Sequence, residues 1–340
     1  MAKKPAWGVI SPTLLPGVML GQVKMLEQAG LEGLFAPQVY GPPFVPLAAA
    51  AAVTTRIRLA SGIALAFARS PFETAMAAMD LDRISAGRFT LGLGTSVRSW
   101  SEGFFGMPYG KPLDHLREVV EIVRLVISQA HTGQLTRYEG RYHRHDFSEL
   151  QPPPPPFRPD IPIWIAALRG PLVSLAAEIS DGVMGHPMWS VQHATTNMAG
   201  ALKKGLDRAG KSRNQVEFNL WPWVAISASK SEAINDSRPS IAFYAGIEQY
   251  EEYFAAHGFR DEARRIQEGV KRGDYMSVAP LVTDAMVEAF VACGLPDEVK
   301  KKLAPMLEVA DSICPVPPAY GLSGDKVMAY GGAIAGTFYG

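Results

Sequence analysis

The sequence predicts an α/β fold, a closed (β/α)8 TIM barrel with insertions, on three observations. About eight short β-rich runs alternate with helical ones along the 340 residues, and such alternation implies a parallel sheet. The length suits a single α/β barrel. A doubly wound open sheet would place a glycine-rich phosphate turn after its first strand, and "WGVISPTLLPG" supplies none.

Each element has a local reason. "WGVIS" (7–11) reads as the first strand, and 15–30 as a helix, with apolar residues at helical spacing and a closing glycine. Strand 31–37, helix 44–55, strand 57–65 and a proline-opened helix 71–85 follow. Strand 88–95 leads into a long amphipathic helix, 112–130. Residues 131–160 read as a hairpin excursion ending in a stiff run of five prolines. Strand 161–167, helix 170–180, strand 181–187, helix 193–210 and a strand within 216–229 resume the alternation. Residues 230–310 read as mostly helical, with an extra helical segment at 247–272, and 311–318 as a late short strand. The expected organisation is one domain over 1–318, with insertions at about 131–160 and 230–280. A loosely structured Gly/Ala-rich arm follows at 319–340.

Composition narrows the function. Hydrophobic residues make up 47% of the chain and charged ones 19%, enough for a large core. Lys+Arg 33 balances Asp+Glu 33, which argues against a nucleic-acid footprint or an acidic-membrane surface. The apolar run 46–53 falls far short of the roughly 20 residues of a membrane span. The N-terminus makes a poor signal peptide. Cys293 and Cys314, the only cysteines, have no metal-type spacing and are expected as reduced thiols of a cytoplasmic protein.

The candidate chemistry lies where strands end, because barrel sites form at the C-terminal ends of their strands. "LGLGTS" (91–96) lacks the third glycine of a dinucleotide fingerprint. As a strand end it would present the Thr95 and Ser96 hydroxyls and amides. "ALRGP" (167–171) ends a strand and opens a helix, so its free amides and Arg169 could bind phosphate, unless it is a plain turn. His143 and His145, spaced H-x-H with Asp146 adjacent, could pair on one strand face, but no further ligand cluster is evident nearby and no metal is expected. His186 and Glu102 are the candidate proton donors, the first equally readable as a packing residue and the second as a solvated carboxylate. Gln38 and Tyr40 could orient a ligand by hydrogen bonds. Phe67 and Trp100, with Phe104, Met188 and Trp189, would give an apolar mouth if they point inward. Gly62 interrupts the third strand just before Ile63, which suggests a close approach to the backbone there.

"FARSPFETAMAAMDLDRISAGRFTLGLGTS" (67–96) closely resembles the central signature of the luciferase-like monooxygenase superfamily. Residues 162–183 resemble its phosphate-binding segment, 131–147 its hairpin insertion, and 237–259 and 282–303 its branch that uses the deazaflavin coenzyme F420. That branch includes methylene-tetrahydromethanopterin reductase. The resemblance implies a TIM barrel, commonly a homodimer, acting on a small-molecule substrate. It places the cofactor's phosphate near Leu168, Arg169 and Gly170, and Thr95 and Ser96 beside the cofactor. It also implies a non-prolyl cis peptide at Gly62–Ile63 behind the cofactor ring. The chain departs from the sugar-phosphate dehydrogenases of that branch. Their Asp-His pair and Glu are replaced by Pro37-Gln38-Val39 and Ser96-Val97-Arg98. The expected activity is hydride transfer between F420 and a moderately hydrophobic organic substrate. A flavin mononucleotide (FMN) monooxygenase using oxygen, or a non-catalytic flavin-binding barrel, are the alternatives.

Overall fold

The protein, seen in a computed structural model, is described over residues 4–11, 15–39 and 41–339. Two compact units divide it, one of residues 5–185 and 197–219 and the other of the remainder.

In the larger unit the strands are β1 (Trp7–Val9), β2 (Gly33–Ala36), β3 (Arg58–Ser61), β4 (Ala64–Leu65), β5 (Phe89–Gly94), the hairpin β6 (Arg137–Glu139) and β7 (Arg144–Asp146), β8 (Ile163–Ala166), β9 (Gly182–Met184) and β10 (Glu217–Leu220). The sheet runs β1-β2-β3-β5-β8-β9-β10, with β4 beside β5, and every pairing in it is parallel. Helices fill the intervals, among them Phe44–Val53, Pro71–Ile84, Pro112–Gln129 and Gly170–Ile179. Parallel strands need crossovers, and helices supply them. The architecture is the (β/α)8 barrel that the alternation predicts.

The strands are buried on both faces, which is why they read as continuous apolar runs. Trp7, Phe35 and Trp164 cluster with ring centroids 4.5–6.2 Å apart, and the Arg58 guanidinium lies 5.0 Å from the Trp7 ring. Arg58 and Trp7 are the first residues of β3 and β1, so this cluster lies toward the N-terminal end of the sheet.

In the smaller unit β11 (Trp223–Ile226) pairs in parallel with β12 (Val291–Gly294), and β13 (Ser312–Ile313) follows. β12 interrupts the stretch expected to be mostly helical. It is a four-residue buried strand, too short to show a period. Residues 319–340, expected as a loose arm, instead form a helix, Gly324–Phe338, opened by the Ser323 side chain. Tyr330 and Ile334 of that helix are buried, and Asp236 accepts from Lys326 Nζ (2.7 Å) and from Tyr330 Oη (2.9 Å). Among the described residues no helix is long and apolar enough to cross a membrane.

Candidate active site

The parallel strands of the larger unit end together, and their C-terminal ends carry the expected residues. β3 stops at Ser61, and the chain passes through a cis Gly62–Ile63 peptide into β4. A Cβ on Gly62 would meet the Phe35 side chain at 2.7–2.9 Å. The group crowding this backbone is therefore the Phe35 side chain of β2, from its Cβ outward, which by itself favours glycine here. Gly92 and Gly94 answer to packing too. A Cβ on Gly92 would lie 1.8 Å from the Ser61 carbonyl oxygen, and one on Gly94 would lie 2.2 Å from Ile63 Cδ1. Ser61 Oγ donates to the Gly92 carbonyl and accepts from the Gly92 N–H, both at 2.8 Å.

Beyond Gly94 the strand opens. Thr95 and Ser96 are half-buried. Ser96 takes φ 56°, left-handed and uncommon for a residue with a side chain. Such outliers concentrate at functional sites. The Ser96 carbonyl accepts from Tyr109 Oη at 3.1 Å. Burial raises the Tyr109 phenol above its usual range, opposed by the Thr95 side chain and by the charges of Arg98 and Arg169. Tyr109 thus braces the Ser96 turn by a hydrogen bond and stands close enough to Arg169 to feel its charge. Sequence reasoning missed it, because a lone tyrosine in "GMPYGKP" carries no periodic signal.

Arg169 is exposed and precedes the helix Gly170–Ile179, which has Pro171 in its first turn and no acidic residue there. Pro171 has no N–H, and the Leu172 and Val173 N–H groups donate to the Arg169 carbonyl at 3.0 Å, so the Gly170 N–H and the Arg169 side chain are the groups here that suit an anion. Leu168 and Gly170 flank it, half-buried. A Cβ on Gly170 would make only ordinary contacts, 3.6 Å to Ala201 Cβ, so space alone does not require this glycine.

The residues expected to meet substrate have the following surroundings. Gln38 is buried, and its Oε1 accepts from the Leu65 N–H (2.9 Å) and from Arg69 Nη2 (2.8 Å). Phe67 is only 2% exposed; it stacks on His115 at 3.9 Å and meets the Tyr109 ring edge-on. Met188 and Trp189 are buried as well, so neither opens onto solvent as part of an apolar mouth. Trp100 is half-buried and tilts against the exposed Phe104 on the short helix Arg98–Gly103. Glu102, on the same helix, is exposed and pairs with Arg98 at 2.5 Å, a surface ion pair rather than a buried acid. Tyr40 lies outside the described residues.

His186 belongs to the smaller unit. It keeps some accessible surface but is enclosed by protein, and that burial lowers its imidazole to about 4. The Met188 N–H donates to Nδ1 at 3.1 Å, which leaves the proton of the neutral ring on Nε2, 3.4 Å from Tyr250 Oη. An imidazole this weakly basic carries no second proton to give near neutral pH.

His143 and His145 do stand on one hairpin strand region, but the nearest nitrogen partner is a third histidine. His115 Nε2 lies 2.9 Å from His143 Nε2. No group of three or more His, Cys, Asp or Glu side chains able to hold a metal occurs among the described residues.

The signature motif 82–89 is structural. Buried Asp82 receives Arg158 in a bidentate pair at 2.8–3.1 Å, which anchors the segment after the proline run. Arg88 donates to the carbonyls of Ala51, Thr54, Ile57 and Ser85. Together they fix the start of β5, and so the position of its far end.

The model of the luciferase-like monooxygenase family matches residues 16–310. A Mycobacterium tuberculosis protein provisionally named a coenzyme F420-dependent oxidoreductase is 31% identical over 303 residues, covering 83% of this chain and 85% of its own. The 5,10-methylenetetrahydromethanopterin reductase of Archaeoglobus fulgidus is 30% identical over 293 residues, 83% of each chain. Among solved structures, the coenzyme F420-dependent tetrahydromethanopterin reductase of Methanopyrus kandleri shares the fold, with a TM-score of 0.81 at 23% identity over 99% of this chain and 98% of its own.

Proposed function

This chain belongs to the luciferase-like monooxygenase family and is an oxidoreductase, and from that premise we propose that it transfers a hydride between F420 and an organic substrate of moderate hydrophobicity. The observation that carries the choice of F420 is the pair of relatives at 30–31% identity, one named for F420 and the other a methylenetetrahydromethanopterin reductase.

The strand ends fit such a cofactor by their chemistry. Arg169 and the helix start at Gly170 suit its phosphate. The half-buried backbone of Gly62–Ile63 and the Thr95–Ser96 turn offer a flat wall with hydrogen-bonding groups. When bound, F420 supplies the hydride chemistry. The chain's own residues hold its phosphate, shape the wall behind it and keep Tyr109 over the Ser96 turn. Exposed Phe104 and half-buried Trp100 favour an apolar substrate over a sugar phosphate, as does the absence of the Asp-His pair at Pro37–Val39.

The family also contains enzymes that use flavin and oxygen, so FMN is the second reading. Fluorescence titration of the purified protein with oxidised and reduced F420, and with oxidised and reduced FMN, separates the two. Saturable F420 binding without oxygen consumption is expected. Selective binding of reduced FMN with oxygen uptake would transfer the assignment to a monooxygenase, and binding of neither would overturn both.

A further inference from the structure

We propose that Gln38 and Arg69 are positioning residues that hold the Ile63–Leu65 segment, and with it the wall of the cofactor site; the proposal rests on the F420 reading above. β2 and β3 pair in parallel as far as Ala36 and Ser61. Past that point the Gly62 N–H still donates to the Ala36 carbonyl (2.9 Å) and the Gln38 N–H to the Ile63 carbonyl (3.1 Å). In a regular parallel ladder the residue that donates to position 63 also accepts, through its own carbonyl, from position 65. Here the Gln38 side chain takes that role, with Oε1 accepting from the Leu65 N–H at 2.9 Å. One residue thereby grips both ends of the segment, where β3 gives way to β4.

An amide oxygen has two acceptor sites, and Arg69 Nη2 fills the second at 2.8 Å. A charge-assisted bond of this kind is stronger than one between neutral groups, so it fixes the Gln38 rotamer. Arg69 reaches back toward the Leu65 carbonyl (3.5 Å), covers the Phe44 ring at 5.3 Å, and makes no ion pair among the described residues. Glu73, on the following helix, acts on it only through its charge. The guanidinium is thus committed to the clamp. On the other side Ile63 Cδ1 occupies the space above Gly94, and the Ala66 N–H donates to the Gly94 carbonyl at 2.9 Å. The segment is pinned between Gln38 and β5.

The test uses Gln38→Leu, which removes the acceptor at similar size, and Gln38→Glu, which keeps an acceptor for both Leu65 and Arg69. Amide hydrogen exchange of residues 62–67 is followed in the cofactor-free full chain, together with F420 and FMN affinity. Gln38→Leu is expected to speed exchange at 62–67 at least tenfold, leave 89–94 and 163–166 unchanged, and weaken cofactor binding at least tenfold. Gln38→Glu should stay within about threefold of wild type on both counts. Unchanged exchange at 62–67 in Gln38→Leu, a uniform rise across all strands, or failure of Gln38→Glu to rescue would each overturn the clamp. Should Gln38→Leu not fold, Arg69→Met serves, with an intermediate rise confined to 62–67 expected and no rise overturning the proposal. Wild-type protein that binds neither F420 nor FMN overturns the cofactor reading and this role in it, whereas normal wild-type binding with unaltered variant affinity overturns the positioning role alone.

Discussion

At the residue scale, two glycines that look alike in sequence differ in what crowds them. Gly62 faces the Phe35 side chain, whereas a Cβ added to Gly92 would lie 1.8 Å from the Ser61 backbone oxygen, on a residue whose Oγ makes two bonds to the Gly92 backbone. At Gly62 the nearest atom is Phe35 Cβ at 2.7 Å, an overlap that a small adjustment of β2 relieves, whereas the 1.8 Å overlap at Gly92 is with a hydrogen-bonded strand backbone that cannot move so far without breaking its ladder. Gly62→Ala is therefore expected to cost about 1–3 kcal/mol, the usual range for overpacking. Gly92→Ala should exceed that loss and yield little soluble protein. Urea unfolding of both variants checks the order, and a Gly92→Ala protein as stable as wild type would contradict the close approach. The sequence signals that something approaches Gly62, since a glycine interrupts an apolar strand. Only the fold identifies that neighbour as Phe35, because strands β2 and β3 come into register through tertiary pairing.

At the element scale, the hairpin β6–β7 is fastened through histidines. Glu118, on the helix Pro112–Gln129, accepts from the backbone N–H groups of Arg141, Tyr142 and His143 at 2.8–3.2 Å. His115 Nδ1 lies 3.1 Å from the Tyr109 carbonyl, so that nitrogen carries a proton and Nε2 must accept. His143 Nε2 is then the donor across the 2.9 Å contact. Burial, together with the neighbouring His115 and His145, lowers His143 to about 4, and burial also lowers His115. The folded state thus binds fewer protons than the unfolded chain between pH 6.5 and 4. Its contribution is fully present above pH 6.5 and is lost as pH falls toward 4. Hydrogen exchange of residues 137–147, corrected for the intrinsic pH dependence, should rise as pH drops from 7 to 4.5, with a smaller pH dependence in His143→Gln. A flat profile in wild type would rule this out. The H-x-H spacing was visible in the sequence, but its partner His115 lies 28 residues away and only packing brings it in.

At the scale of the whole molecule, the C-terminal segment is an integral part of the smaller unit. Lys326 and Tyr330 supply the partners of Asp236, and Tyr330 and Ile334 are buried. Burying such side chains stabilises by about 1.5–3 kcal/mol each, and an acid left without partners adds to the loss. Truncation after Leu322 should lower the thermal midpoint by several degrees, read by scanning calorimetry, and Asp236→Asn should lower it by less. An unchanged midpoint on truncation would show that the helix is dispensable. The segment misleads in sequence because its glycines, Gly324, Gly331, Gly332 and Gly336, weaken the helical signal. What holds it is contact with Asp236, 90 residues earlier in the chain.

The barrel class, the order of most strands and helices, and the places where strands end in candidate site residues follow from the sequence alone. They depend on local periodicity, on turn chemistry and on short motifs, all written within a few residues. The identity of the group beside Gly62, the use of Gln38 as a clamp, the burial of Phe67, Met188 and Trp189, and the pairing of His115 with His143 were decided only in the tertiary structure. Each depends on residues far apart in sequence meeting at a particular distance, and strand register and helix packing set that distance.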